Sequence, residues 1–170
     1  MQQIALATED ELSEAVGVRL VAKTVPSLEI GLRLRKGGFG YLRSRLNNFY
    51  QIARRQPVLL ITDLNSYPCA AALIAEWSRR IPRNDGLLFR VAVREIESWL
   101  LADHEAMRSL LGSRATRLPE HPDTLADPKR TLLDLAKVAP RHVRTDLRAE
   151  VGAIAAQGLG YNRVLADWVR

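Results

Sequence analysis

Four acidic residues follow apolar, strand-like runs of the sequence, and they are the side chains whose chemistry is clearest. They are Glu9, Asp63, Glu95 and Glu97. The runs that precede them are residues 4–7, 58–62 and 87–93. Because parallel strands of an α/β sheet deliver their carboxyl ends to the edge where such folds bind ligands, we expect these carboxylates to meet there. Their oxygens suit a hard divalent cation, Mg²⁺ or Mn²⁺, so metal-dependent phosphodiester chemistry is the sharpest hypothesis.

Asn65 extends this set, since it stands two residues after Asp63 and alternate side chains of an extended segment point the same way. The two residues would offer a charged and a neutral oxygen to one cation. An alternative interpretation is a polar turn before a helix, because Asp, Asn and Ser all favour turns. Glu9 also has a second interpretation, as an acidic residue stabilised by the dipole at the start of a helix.

The pair Glu95 and Glu97 flanks Ile96, and both side chains reach the sheet edge only if a helix starts at that point. The alternative for either glutamate is an ion pair with Arg90 or Arg94. Metal ligation and ion pairing both stay open on the residues alone.

A basic segment with several glycines is the second feature with functional potential. Its glycines would expose backbone N–H groups at the start of a helix, as phosphate-binding loops do, although the Gly-Lys-Ser/Thr ending of a P-loop is missing. Phe39 and Tyr41 would be available to stack on a base. The alternative is a flexible connection with solvated charges. The residues expected to hold a nucleic-acid backbone are Arg35, Lys36, Gly37, Gly38, Arg43 and Arg45.

Composition bounds the class of protein. The chain has 170 residues, 47% of them hydrophobic, which suffices for one well-buried domain. The formal charge of +6 favours phosphate backbones as partners, although a surplus of this size is also common in ordinary enzymes. Since no apolar stretch approaches the roughly 20 residues that span a bilayer, we expect a cytoplasmic protein without membrane contact. The single Cys69 excludes an internal disulfide, and we expect it to be buried and structural.

Apolar periodicity predicts the elements that position these residues. Strand-like and helix-like patterns alternate in the first part of the chain, which predicts an α/β fold with a mostly parallel sheet and flanking helices. Residues 28–34 alternate with period two, as expected of an edge strand. We divide the chain into an α/β core, residues 1–112, and a helical C-terminal extension, residues 113–170, packed on it as one domain overall.

Several helix ends are also predicted. Pro68 fits the first turn of a helix that runs to about Arg80. Asp103 is expected to cap a helix that ends near Gly112, and Asp127 to cap the helix that follows it.

Two segments of the chain read Asp-Leu-Asn-Ser-Tyr-Pro-Cys at residues 63–69 and Arg-Val-Ala-Val-Arg-Glu-Ile-Glu-Ser-Trp-Leu at residues 90–100. Both resemble a small bacterial family of unknown function with a Toprim-like fold. The glycine loop at 36–40 and the segments 126–130 and 160–162 also resemble that family, so the resemblance covers nearly the whole chain. Its most specific part is Arg-Glu-Ile-Glu-Ser-Trp.

The resemblance implies roles for individual residues. Toprim domains of topoisomerases, primases and nucleases of the overcoming-lysogenization-defect type hold Mg²⁺ with a Glu after the first strand and an Asp-x-Asp after a later one. Glu9 matches that Glu and Asp63 the first Asp, whereas the second Asp falls on Asn65, a neutral ligand that implies weaker cation binding. Asp10 stands where the family often has glycine. Members are often encoded beside ATPases in defence-like settings, so the resemblance implies an ATPase partner.

These observations lead to one main hypothesis and two rivals. The main one is a Toprim-like, Mg²⁺-dependent nuclease or phosphodiester-acting subunit that acts on DNA rather than RNA and works with an ATPase. Asp63, with Asn65 and Glu95 or Glu97, would ligate the cation. Glu9 would be a further ligand of the cation or the general acid/base. The first rival is a binding or regulatory module that has kept the fold and lost catalysis. The second is a toxin-like effector that acts on another phosphorylated substrate. The oligomeric state stays open.

Overall fold

The computed structural model describes residues 2–35, 37–115, 117–150 and 152–170. Within these residues, four parallel strands form one sheet in the order β2-β1-β3-β4. The strands are β1 Gln2–Ala7, β2 Leu28–Leu34, β3 Val58–Asp63 and β4 Leu87–Ala92. The helices are α1 Glu11–Thr24, α2 Gly38–Ala53, α3 Ala70–Ser78, α4 Glu97–Ala102, α5 His104–Leu111, α6 Pro128–Leu135, α7 Arg141–Leu147 and α8 Tyr161–Val169, with short 3₁₀ turns at Pro122–Thr124 and Ala136–Val138.

The predicted fold class is confirmed. The chain is an α/β protein with a parallel sheet, flanking helices and a helical C-terminal part. Strand β2 lies at the edge of the sheet, as the period-two pattern of residues 28–34 predicts. In the part of the chain that the structure describes, no helix combines the length and the apolar character needed to cross a membrane.

The sheet is buried on both faces, because alternate residues of its central strands belong to different cores. On β1, Ile4 and Leu6 lie in one core, whereas Ala5 and Ala7 lie in the other. Helix α1 and the C-terminal helices cover the first face, and α2 and α3 cover the second. This burial explains why the strands read as continuous apolar runs.

The C-terminal helices complete the first core instead of forming one of their own. Leu132, Leu147 and Leu165 are fully buried in the same cluster as Leu6 of β1. Burial of each such leucine stabilises the fold by roughly 1.5–3 kcal/mol. The extension therefore fixes the first face of the sheet, including the end of that face at which the acidic residues lie.

Most of the predicted helix ends are confirmed by hydrogen bonds. The side chain of Asp103 accepts from the Ala106 N–H at 3.0 Å, and helix α5 ends at Leu111, followed by Gly112 as its C-cap with a φ of 82°. Asp127 accepts from the Arg130 N–H at 2.7 Å at the start of α6. These caps stabilise helices whose packed faces are short.

Two expectations around Pro68 are wrong. Helix α3 begins at Ala70 with Cys69 as its N-cap and ends at Ser78, so Pro68 precedes the helix instead of opening it. Cys69 is exposed and is not a buried structural cysteine. The reason is its place at the cap, because a residue before the first turn lies outside the packed face of the helix.

Candidate functional site at the carboxyl edge of the sheet

The site lies where the strand order of the sheet reverses. Strands β1 and β3 are neighbours, yet the helix that follows β1 packs on one face and the helix that follows β3 packs on the other. The two connections therefore leave in opposite directions and open a crevice at the carboxyl ends of the strands, which is where open α/β sheets bind ligands. Glu9, after β1, and Asp63, at the end of β3, stand on either side of this crevice.

Glu9 is tied to the neighbouring strand. Its carboxylate accepts hydrogen bonds from the Thr62 hydroxyl at 2.5 Å and from the Asp63 N–H at 2.8 Å. The N–H of Phe39, in the first turn of α2, also donates to this carboxylate. Burial raises the pKa of Glu9, and these hydrogen bonds partly oppose the rise. The carboxylate is therefore held in one orientation, and its pKa lies above the ordinary value for a glutamate.

Asp63 is the most perturbed carboxylate of the site. Burial, followed by the negative charges of Glu9, Glu97, Asp10 and Glu95, raises the pKa of Asp63 to about 8. The four named carboxylates follow β1 and β4, so the fold brings them close enough to Asp63 to influence its pKa. Crowding of like charges makes the ionised state of Asp63 costly unless a cation compensates it.

Glu97 is the most buried acidic residue of the group, with 2% of its surface exposed. Its Oε1 atom accepts a hydrogen bond from the Tyr161 hydroxyl at 2.8 Å and lies 3.6 Å from the Lys129 ammonium. Its Oε2 atom is buried and has no hydrogen-bond partner among the described residues. Burial raises the pKa of Glu97, with Lys129 and Tyr161 acting in the opposite direction. An unpartnered buried carboxylate oxygen is costly when ionised, and a proton, a water molecule or a cation would each lower that cost.

Lys129 is a site residue that the sequence reasoning missed. Its backbone N–H donates to Glu95 at 3.0 Å, and its ammonium lies 5.6 Å from the centre of the Tyr161 ring. Burial lowers the pKa of Lys129, but the charges of Glu97, Glu95 and Asp63 outweigh it and leave the pKa above its ordinary value. The residue therefore stays cationic. The predicted cap at Asp127 put Lys129 in the first turn of a helix. No local sequence pattern indicated that this helix contacts the carboxyl edge of the sheet.

Asn65 takes a different position from the carboxylates. It is exposed, has a φ of 51°, and its side-chain amide nitrogen lies 3.4 Å from the carbonyl oxygen of Asp63. Arg94 holds this loop, because its guanidinium donates to the carbonyl oxygens of Asn65 and Tyr67, each at 2.9 Å. Arg94 therefore holds the loop after β3. The ion pair expected between Arg94 and Glu95 or Glu97 is replaced by contacts of both glutamates with Lys129.

The arginines of the predicted nucleic-acid segment are partly engaged with carboxylates. Arg35 forms an ion pair with Glu14 at 3.1 Å, and Arg43 forms one with Glu76 at 2.7 Å. Arg45 is exposed on α2. The first two would have to exchange their carboxylate partners for phosphate in order to bind a nucleic-acid backbone.

The glycines of the same segment serve the carboxylate site. Gly37 has a φ of 137° and forms the N-cap of α2, and the Gly38 N–H donates to the carbonyl oxygen of Glu9 at 3.2 Å. The Gly38 and Phe39 N–H groups at the start of α2 therefore hydrogen-bond to Glu9. The sequence instead suggested that such N–H groups would bind a phosphate. Lys36 lies outside the described residues.

The two aromatic residues of the segment pack inward. The ring of Phe39 meets that of Trp77 edge-on at a centroid distance of 4.9 Å, and Tyr41 packs against Phe49 at 6.2 Å. Both belong to the periphery of the second core. Both rings are half-buried, so the core on this face takes up part of the surface that was expected to stack on a base.

The donor set fits a cation that keeps part of its water shell. Across the described residues, no three carboxylate, imidazole or thiol groups converge closely enough to enclose one ion. Mg²⁺ is typically held by one or two carboxylates, with water and phosphate oxygens completing its octahedron. Asp63 and Glu97 supply oxygen donors of the kind that this mode of binding requires.

Neither a family model, nor a curated protein, nor a solved structure matches this chain. Its function is therefore inferred from the residues and their geometry.

Proposed function

We propose that this protein is a Toprim-like, Mg²⁺-dependent nuclease or phosphodiester-acting subunit. The observation that supports the proposal is the burial of Asp63 at the reversal of strand order, beside Glu9 and Glu97, which together raise the pKa of Asp63 to about 8. A cluster of carboxylates that repel one another in a ligand-binding crevice is typical of a functional site, because a fold without such a need would separate these charges.

Asp63 and Glu97 would hold the cation. A bound Mg²⁺ would supply Lewis-acid polarisation of a phosphoryl oxygen and lower the cost of the charge that develops in the transition state. Thr62 and the Asp63 N–H fix Glu9 beside this position. Glu9, whose pKa is raised by burial, would accept or donate the proton exchanged by the attacking or leaving oxygen.

Lys129 would contact the phosphate group of the substrate. Its side chain is 36% exposed, so its ammonium reaches both the buried carboxylates and the solvent. Because it stays cationic beside Glu97, it would offset the negative charge that a phosphodiester brings to the site. Arg35, Arg43 and Arg45 would extend the contact along the backbone of DNA. The protein would act in the cytoplasm, together with an ATPase.

A cleavage assay tests the proposal. The purified chain is incubated with DNA and RNA in Mg²⁺ or Mn²⁺, with and without candidate ATPase partners. We expect cleavage that is lost in Asp63→Asn and Glu97→Gln. The matched control is Asp85→Asn, an exposed aspartate that pairs with Arg83 and precedes β4, at the opposite end of that strand from Glu95 and Glu97. Intact substrates under all conditions, together with an Asp63→Ala variant that changes nothing in cells, would contradict the proposal.

A binding or regulatory module is the second candidate, and the position of Asn65 favours it. The residue that the Toprim pattern would make an aspartate is neutral and exposed, and Lys129 already places a positive charge at the carboxylates. Saturable cation or nucleic-acid binding without cleavage of either DNA or RNA is the result that favours this candidate over an enzyme.

A further inference from the structure

A half-open apolar groove lies between α1, α4 and α8, and its lining contains none of the clustered carboxylates. Its volume is about 350 Å³, and Val16, Leu20, Trp99 and Trp168 contribute to its lining. Leu20 is 39% exposed, and the two tryptophans are only partly buried. Two of the three tryptophans of the chain therefore line one small apolar surface, and we name these four residues the tryptophan groove.

The edge of the tryptophan groove is basic. Arg19 and Lys23 also line it, stand one helical turn apart on α1, and are both exposed. Like charges at this spacing destabilise an isolated helix, so the pair has a cost unless something negative faces it. Asp103 also lines the groove, where its carboxylate accepts the Ala106 N–H at 3.0 Å as the cap of α5, so its single negative charge is fixed there and the edge keeps a net positive charge.

We propose that the tryptophan groove binds a short segment of a partner protein that carries both apolar and acidic side chains. The apolar side chains would fill the floor between Trp99 and Trp168, and the aspartates or glutamates would pair with Arg19 and Lys23. Exposed tryptophan and arginine together are the composition that protein-binding hot spots favour. A segment is favoured over a folded domain, because a groove of this volume accepts only a few side chains.

Charge separates this occupant from the main alternative, a second copy of the chain. Each copy carries a formal charge of +6, so a copy docked on a basic edge would meet general electrostatic repulsion. The aliphatic part of the floor likewise offers no hydrogen-bond partners to nucleic-acid bases. An acidic peptide segment satisfies both the apolar floor and the basic edge.

Peptide selection on the intact chain tests this inference independently of any nuclease activity. A phage-displayed library of random peptides is selected against the wild-type chain, and the affinities of selected peptides are measured by fluorescence anisotropy. We expect them to combine apolar residues with Asp or Glu. We expect losses of about tenfold or more in Leu20→Glu and in the double variant Arg19→Glu/Lys23→Glu.

Two matched controls keep the test specific. Leu159→Glu changes a fully exposed leucine elsewhere, and Arg141→Glu reverses an exposed charge on α7, so neither should alter peptide affinity. Circular dichroism melts verify that each variant is folded, and the double charge variant carries the test if Leu20→Glu is not. The inference is overturned if no peptide is selected, if the selected peptides lack acidic residues, or if both groove variants leave the affinities unchanged. It is also overturned if an oligonucleotide displaces the peptide. A wild-type dimer in sedimentation that Leu20→Glu dissociates would overturn it as well.

Discussion

The carboxylate of Glu9 accepts a hydrogen bond at 2.8 Å from the backbone N–H of Asp63, a residue 54 positions later in the chain. This bond joins the ends of two neighbouring parallel strands across the crevice where the strand order reverses. It fixes one carboxylate next to another, and the mutual repulsion contributes to the high pKa of Asp63. The fold thus accepts an electrostatic cost at the position where a ligand would bind.

The first prediction concerns the effect of pH on stability. The folded-state pKa of Asp63, about 8, lies above its ordinary value of 3.8, so the folded chain holds a proton that the unfolded chain releases. Stability from this group is therefore full below about pH 4 and is lost as pH rises towards about 8. In EDTA, Asp63→Asn should raise the free energy of unfolding near pH 8 by about 1–2 kcal/mol, allowing for partial solvent screening.

Urea unfolding of both proteins between about pH 5 and pH 8 measures this difference. The control Asp85→Asn changes an exposed aspartate and should stay within about 0.5 kcal/mol of the wild type. A variant whose stability relative to the wild type is the same at both pH values would show that Asp63 is not protonated in the folded chain.

The second prediction concerns the buried hydrogen bond between Tyr161 and Glu97. Tyr161→Phe removes the donor at 2.8 Å from Glu97 Oε1 and leaves a buried carboxylate with one fewer partner. We expect a loss of about 1–3 kcal/mol in the free energy of unfolding. Tyr50→Phe, at a half-buried tyrosine of α2, is the matched control and should cost less. Equal losses in the two variants would mean that the hydrogen bond to Glu97 adds nothing.

The third prediction concerns the charge of Lys129. Lys129→Met keeps most of the apolar stem and removes the cation that lies 3.6 Å from Glu97. Because the ammonium is partly exposed, we expect a modest loss of about 1–2 kcal/mol near neutral pH, which shrinks at low pH as the carboxylates become protonated. Lys137→Met breaks an exposed ion pair with Asp134 and should cost well under 1 kcal/mol. A loss that does not depend on pH would contradict the electrostatic origin.

The fourth prediction concerns the anchor that Glu95 provides for α6. Its carboxylate accepts the Lys129 N–H at 3.0 Å, in the first turn of that helix. Glu95→Ala should cost about 0.5–2 kcal/mol and should speed hydrogen exchange of the Lys129 amide in particular. Glu105→Ala, at an exposed glutamate in the first turn of α5, is the control. Unchanged exchange at Lys129 in Glu95→Ala would show that the helix start is held by other contacts.

The sequence predicts much of this fold because local patterns determine it. Apolar runs followed by acidic residues locate the ends of β1 and β3, and the parallel arrangement then puts Glu9 and Asp63 at the same edge of the sheet. The helix caps at Asp103 and Asp127 follow from side chains that hydrogen-bond to their own helix. Such features need no knowledge of the distant parts of the chain.

The rest of the site depends on packing between distant segments. Tyr161 and Lys129 reach Glu97 because α6 and α8 share a core with β1, and no local periodicity reports on that contact. The inward packing of Phe39 against Trp77 has the same origin. Local reasoning therefore identifies the carboxylates and misses the groups that neutralise and orient them.

Divalent-cation binding by calorimetry tests the central claim most directly. Mn²⁺ is titrated near pH 7 into the wild type, Asp63→Asn, Glu97→Gln and the control Asp85→Asn, in two buffers with different ionisation enthalpies. We predict saturable binding by the wild type with release of protons, because the cation displaces the proton that Asp63 holds at a pKa of about 8. Binding should weaken about tenfold or more in Asp63→Asn and Glu97→Gln and persist in Asp85→Asn. Absence of saturable binding, or equal binding by the wild type and Asp63→Asn, would contradict the account.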